Sequence, residues 1–225
     1  MKNIVRISLV VLLLIGGVSA ADAMPGAKPD EISTATGPGG TIVGTLSSVW
    51  LRKYSMIVYL EGVEGLSTPL DEHLILNQEN KMFVPHVMAV PQGTTIHYVN
   101  HDDVKHNVYF IAPDETILNL GTGAEDWSRE VTMDQVGVYA HRCNVHDEMS
   151  AYIVVFGHPH FELIEKGAPK KSAEFRLDGV PAGTYQLRVW CEKYYADKDH
   201  PFNSPWEVSV QDGEETSIEV KPKTK

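Results

Sequence analysis

From Gly40 onward the chain shows no apolar pattern that would make an amphipathic helix longer than two turns. Short runs of β-branched and aromatic residues recur instead, each cut off by Gly, Pro, Asn or Asp. The first are Thr41-Ile42-Val43 and Met56 to Leu60. Val87 to Val90 follows between Pro85 and Pro91, and Gly93 opens Thr94 to Val99. Asn107 to Phe110, Val138-Tyr139 and Ala151 to Phe156 come next. In the last third, Ala173 to Leu177, Tyr185 to Trp190, Trp206 to Val210 and Thr216 to Val220 complete the series. Many short strands at near-regular spacing predict an all-β chain built of sandwiches. Residues 124–136 leave room for one short helix.

The first residues stand apart from this pattern. Lys2 and Arg6 precede an unbroken apolar stretch from Leu9 to Ile15, and small residues follow up to Ala20 and Ala23. Residues 1–23 are thus expected to be a secretory signal peptide. Residues 24–39 are small, polar and rich in Pro and Gly, as in a flexible linker. No later stretch approaches the 18 apolar residues of a membrane span. The expectation is a periplasmic or secreted protein with no span after signal cleavage. Its formal net charge of −11 speaks against nucleic acid, which needs clustered Lys and Arg. Two cysteines are too few for a disulfide scaffold.

One of those cysteines carries the chemistry. Cys143-Asn144-Val145-His146-Asp147-Glu148-Met149 gives Cys-x2-His-x2-Met between two expected strands, and His106 lies upstream in Lys105-His106-Asn107-Val108. Each residue alone has an ordinary explanation. Cys143 and Met149 would serve as core residues, and His106 is one of ten histidines. Together they offer one thiolate, two imidazoles and one thioether. That set is too soft for calcium or magnesium. Two His and one Cys with a weak axial Met is the donor pattern of an electron-transfer copper site.

The surrounding residues resemble the cupredoxins, the fold of plastocyanin, pseudoazurin and amicyanin. Phe83-Val84-Pro85 with Val90-Pro91-Gln92-Gly93, then Asn100 and His106-Asn107-Val108, then Gly137-Val138-Tyr139 leading to Cys143, carry the likeness. It spans residues 74–157, and the short Cys-x2-His-x2-Met spacing is that of the amicyanin type. The resemblance implies one type 1 copper held by His106, Cys143, His146 and Met149. It implies that Asn107 bonds across to the cysteine loop from just outside the ligand set, and that electrons leave through His146. His141 departs from the family, which has a bulky apolar residue there. It shares a face with Tyr139 and Cys143, so it needs a hydrogen-bond partner or becomes an extra metal contact. His101, Asp102 and Asp103 read as a polar loop, and His158 with His160 as a linker or a secondary metal site.

The tail resembles a different sandwich. Phe175-Arg176-Leu177 and Pro181-Ala182-Gly183-Thr184-Tyr185 match the transthyretin-like, carboxypeptidase-regulatory type, and its first two strands would be Thr41 to Leu46 and Met56 to Leu60. The expected organisation is therefore a Greek-key cupredoxin sandwich at 67–157, inserted into a discontinuous transthyretin-like sandwich at 40–66 and 158–223. Two consecutive domains, with 40–66 adding strands to the cupredoxin, is the alternative. Cys191 is left as a buried thiol or an intermolecular link.

The functional expectation is an exported carrier of single electrons, not an enzyme. Its redox partner would present a basic docking face to this acidic chain. Copper storage or delivery, a binding module with structural copper, and a modified site with Glu148 or water as an extra ligand are the other readings.

Overall fold

A computed structural model describes residues 38–223, apart from 64, 66, 71, 72 and 168–170. The expected signal peptide, and the linker up to residue 37, lie outside the described residues. The strands are β1 (Gly40–Ser47), β2 (Met56–Glu61), β3 (Leu74–Glu79), β4 (Met82–Val84), β5 (Val87–Pro91), β6 (Thr95–Asn100), β7 (His106–Ile111) and β8 (Ile117–Gly123). Then come β9 (Ser128–Thr132), β10 (Gly137–Arg142), β11 (Ser150–Phe156), β12 (Phe161–Ile164), β13 (Ser172–Val180), β14 (Gly183–Cys191), β15 (Trp206–Val210) and β16 (Glu215–Val220). Helix among the described residues is limited to two 3-10 turns, Val49–Arg52 and Pro201–Asn203. None is long and apolar enough to cross a membrane.

Four sheets result. The middle of the chain forms β5-β11-β10-β7-β8 and β4-β3-β6-β9. Leu76, Phe83, Ile96 and Tyr98 from the second sheet meet Val108, Phe110, Tyr139, Ile153 and Val155 from the first. This is the cupredoxin-like sandwich. The two ends of the chain form β13-β1-β16 and β12-β2-β14-β15. β1 runs antiparallel to β13 and parallel to β16, while β2 lies between β12 and β14. Ile42, Leu46, Val58, Leu60, Phe175, Leu177, Leu187 and Val189 fill the core between these two sheets. Strands from before and after the middle segment thus share sheets with each other.

The two sandwiches are fused through a third core. Side chains alternate between the faces of a strand, so β2 sends Met56, Val58 and Leu60 one way and Ile57 and Tyr59 the other. β11 likewise sends Ala151, Ile153 and Val155 into its own sandwich and turns Tyr152, Val154 and Phe156 outward. These outward residues pack with Ile57, Val87, Ala140 and Trp190. The order of layers is β13-β1-β16, β12-β2-β14-β15, β5-β11-β10-β7-β8, β4-β3-β6-β9. Both middle sheets are covered on both faces, which is why Met56 to Leu60 and Ala151 to Phe156 read as continuous apolar runs. His86, bonded to Glu192 and to the carbonyl of Ser150, ties the two sandwiches at the edge of this core.

One close approach requires glycine. A Cβ on Gly44 of β1 would lie 2.3 Å from the Phe175 ring and 2.7 Å from the Ile218 carbonyl oxygen. The neighbouring strands on both sides leave it no room.

The short helix for which residues 124–136 leave room is not formed. The segment instead turns and pairs as β9 against β6, with Val131 opposite Ile96. Val131 and Met133 face the sandwich core, and a strand supplies that contact with fewer residues than a helix.

Candidate metal centre

His106 is the first residue of β7, and Cys143 directly follows the last residue of β10. His146 and Met149 lie in the loop that joins β10 to β11. β10 and β7 are hydrogen-bonded neighbours, so the sheet itself brings the upstream histidine alongside the loop. The Nδ1 atoms of His106 and His146 face each other at 3.0 Å. Cys143 Sγ lies 4.0 Å from His146 Nδ1. One ligating atom from each of these three residues falls within 4.8 Å of the others, the one such group of three found among the described residues. Met149 is buried in the same apolar core as Cys143, and its backbone N–H donates to the His146 carbonyl at 3.1 Å. His106, Cys143 and Met149 are buried, and His146 is half-buried. Cys143 Sγ accepts a hydrogen bond from the Val145 backbone N–H at 3.4 Å.

The orientation of His106 has a specific cause. Its Nε2 lies 2.6 Å from a carboxylate oxygen of Asp102. Asp102 also accepts from the backbone N–H groups of Asn80 and Lys81 at 2.7 and 2.8 Å. These two residues form the turn between β3 and β4, with φ of 54° and 57°, as in a two-residue I′ hairpin. Burial opposes ionisation of Asp102, but the hydrogen bonds from Lys81, His106 and Asn80 outweigh it and hold the carboxyl below its ordinary value. An ionised carboxylate only accepts, so the His106 proton sits on Nε2. The Nδ1 lone pair is then left facing His146. Asp102 is therefore more than a member of a plain polar loop. Its spacing of four from His106 is the only sign of this in the sequence.

Asn107 corrects a second expectation. Its Nδ2 donates to Asn119 Oδ1 and the Gly121 carbonyl, both at 2.9 Å, and its Oδ1 is buried without a partner. The amide is therefore bonded to β8, not across to the cysteine loop. The β7–β8 pairing is irregular between Val108 and Tyr109, next to this contact.

His141 points inward and both of its nitrogens are occupied. Nδ1 faces the Tyr139 carbonyl at 3.1 Å, and Nε2 accepts from the Tyr98 hydroxyl at 2.8 Å. Burial pushes its pKa down to about 3, so the ring is neutral and acts as a satisfied core residue rather than a metal contact. Tyr98→Phe would leave Nε2 buried and unpaired. It is expected to cost about 1–3 kcal/mol of stability in a denaturant titration.

His158 and His160 are also structural. His158 Nδ1 accepts from the His160 backbone N–H at 3.2 Å, and the rings stack. Burial, then the nearby His160, pushes the His158 pKa down to about 4. In the unfolded chain a histidine titrates near 6.5, so between about pH 6.5 and 4 the unfolded state binds more protons. The stability from a neutral His158 is complete above that window and is lost as pH falls through it. His141 acts in the same sense. The melting temperature is therefore expected to drop between pH 7 and pH 4, with a shallower slope in His158→Asn. Cys191 is a free thiol in the core of the other sandwich, and burial raises its pKa to about 11. Such a thiol is unreactive, so it serves as core and not as an intermolecular link.

No family model matches the chain. Among curated proteins it is similar to the methylamine utilization protein MauL of Methylophilus methylotrophus. The two are 25% identical over 158 residues, which is 63% of this chain and 90% of the relative. Among solved structures it is similar to the reduced state of a proline-to-phenylalanine mutant of amicyanin, at 22% identity and a TM-score of 0.36, covering 39% of this chain and 85% of that one. The Cu(I) form of a methionine-to-alanine mutant of amicyanin is matched at 19% identity and a TM-score of 0.36, covering 44% and 98%.

Proposed function

We propose that the cupredoxin-like sandwich carries single electrons through one type 1 copper, held by His106, Cys143, His146 and Met149, in an exported protein. The observation that carries this reading is the convergence of two imidazole nitrogens and a thiol sulfur at the end of a rigid sheet, with a buried thioether in the same core. The donor set fits copper. Thiolate and thioether suit Cu(I), and imidazole suits both oxidation states. Bound there, copper would supply a reversible one-electron change. Three of the four side chains are buried and lie in a strand or directly beside one, so they would hold one arrangement for both oxidation states. Half-buried His146 is the edge through which an electron would pass. The same rigidity disfavours metal delivery, which needs ligands that open.

Within this account Asp102 is a positioning residue. A carboxylate behind a ligating imidazole fixes the ring and raises its basicity, which favours Cu(II) over Cu(I). Asp102→Asn is expected to raise the reduction potential by roughly 60 mV, a tenfold change at 59 mV per decade. Potentiometric titration reads it.

The segments 40–66 and 158–223 are, on this reading, a discontinuous transthyretin-like sandwich into which the copper domain, 67–157, is inserted. The relative's name points to methylamine utilisation as the setting, and the net charge of −11 to a redox partner with a basic docking face. Voltammetry of the copper-loaded protein tests the function. A reversible wave of one electron per chain is expected, and bound copper without such a wave would contradict it.

A further inference from the structure

We propose a second metal site on the solvent-facing side of the outer sheet, formed by His73 and His97 and backed by Glu130, for a borderline divalent cation such as Cu(II). It is independent of the thiol-containing centre.

The strands place these three residues together. β3 and β6 run parallel with Ile75 opposite His97, and β6 and β9 run antiparallel with His97 opposite Glu130. Strand alternation puts Ile75, His97 and Glu130 on one face, and His73, just before β3, packs its ring against His97 on that face. That face is the outer one, since Ile75 is 46% exposed while its neighbours Leu76 and Ile96 are fully buried. His73 Nδ1 lies 2.9 Å from His97 Nε2, with the rings edge to face. On the other side of the same ring, His97 Nδ1 lies 3.2 Å from a Glu130 carboxylate oxygen.

The carboxylate decides which His97 nitrogen is free. A Glu130 carboxylate oxygen beside Nδ1 favours the proton on that nitrogen, which leaves the Nε2 lone pair on the side of His73. A carboxylate behind an imidazole whose other nitrogen is a free donor is the usual arrangement around a metal-bound histidine. In the absence of metal, one proton on His73 Nδ1 bridges the pair. A divalent ion can displace that proton to solvent and bind beside the line joining the two nitrogens, since 2.9 Å is the spacing of cis nitrogens each about 2.0–2.1 Å from a metal, and water completes its shell because the site faces solvent. Imidazole with oxygen ligands suits Cu(II), which has the highest affinity in its series. No thiol or thioether takes part, so this site holds its ion without the sulfur chemistry of the first.

The test is a count of Cu(II) bound by untagged protein, by equilibrium dialysis against a weak competing chelator. The wild type is expected to bind two equivalents, the second with the paramagnetic resonance of a nitrogen–oxygen site and no sulfur-to-copper band. His97→Gln and His73→Gln should each lose one equivalent and leave any sulfur-to-copper band unchanged. Glu130→Gln should weaken the second equivalent about tenfold. Unchanged melting temperatures would show that the variants fold. If both histidine variants keep the wild-type count, the site does not exist. The outcome is separable from that of the first centre. A wild type with no sulfur-to-copper band would overturn the type 1 assignment, yet still lose one equivalent on His97→Gln.

Discussion

Cys143→Ser is expected to lower copper affinity by more than about 100-fold and to remove every sulfur-to-copper absorption, while the chain stays folded. Loss of a group that merely supports a ligand costs about 10–100-fold in affinity, and Cys143 would be the strongest donor itself. A serine hydroxyl is a hard, protonated oxygen in place of a soft thiolate. It remains able to accept the hydrogen bond that Val145 gives to Sγ. The position is 3% exposed, so burying a hydroxyl there costs about 1–3 kcal/mol at most. Metal-to-protein ratio after dialysis, with the melting temperature as control, separates loss of the ligand from loss of the fold. Retention of near-wild-type affinity would remove Cys143 from the site.

Trp190→Ala should have the largest effect on stability. Trp190 is 6% exposed and packs on Tyr152 and Tyr195, with ring centroids at 5.6 and 5.7 Å. Its indole N–H is buried without a partner, so its contribution is packing between the two sandwiches. Removing so large a side chain from a core costs about 3–5 kcal/mol. In a chain of this size that is a fall of roughly 6–20 °C in melting temperature. The metal site should survive, because Cys143 and Met149 belong to the core on the opposite face of the sheet. An unfolding transition that splits in two would show that this junction holds otherwise independent sandwiches together. A change below about 1 kcal/mol would contradict the four-layer packing, since a buried aromatic cannot be truncated so cheaply.

The same junction shows what the sequence could convey. Alternation in Ala173 to Leu177 and Thr216 to Val220 marks outer strands, since one face meets water and the other a core. Met56 to Leu60 and Ala151 to Phe156 are recognisable as strands, and their unbroken apolar character is also a sign of sheets covered on both sides. Motifs separate the two sandwiches, but motifs do not encode which faces stack. β8 and β9 are less legible. None of their residues is fully buried and only Leu120 and Val131 pack against the core, so the apolar alternation in these strands is weak. The candidate ligand set is legible because its chemistry is local to seven residues and one strand partner. Asp102 is not, because its role depends on the turn at Asn80 and Lys81 arriving beside His106. The resemblance has Asn107 bond across to the cysteine loop, but its amide donates to β8, beside an irregularity in strand pairing that no local pattern announces.

The most direct test of the copper assignment is the visible spectrum of the protein loaded with one equivalent of Cu(II). The arrangement of His106, Cys143, His146 and Met149 predicts an intense sulfur-to-copper band that bleaches on reduction with ascorbate and returns on reoxidation. A protein that binds the metal at these residues yet shows no such band would contradict it.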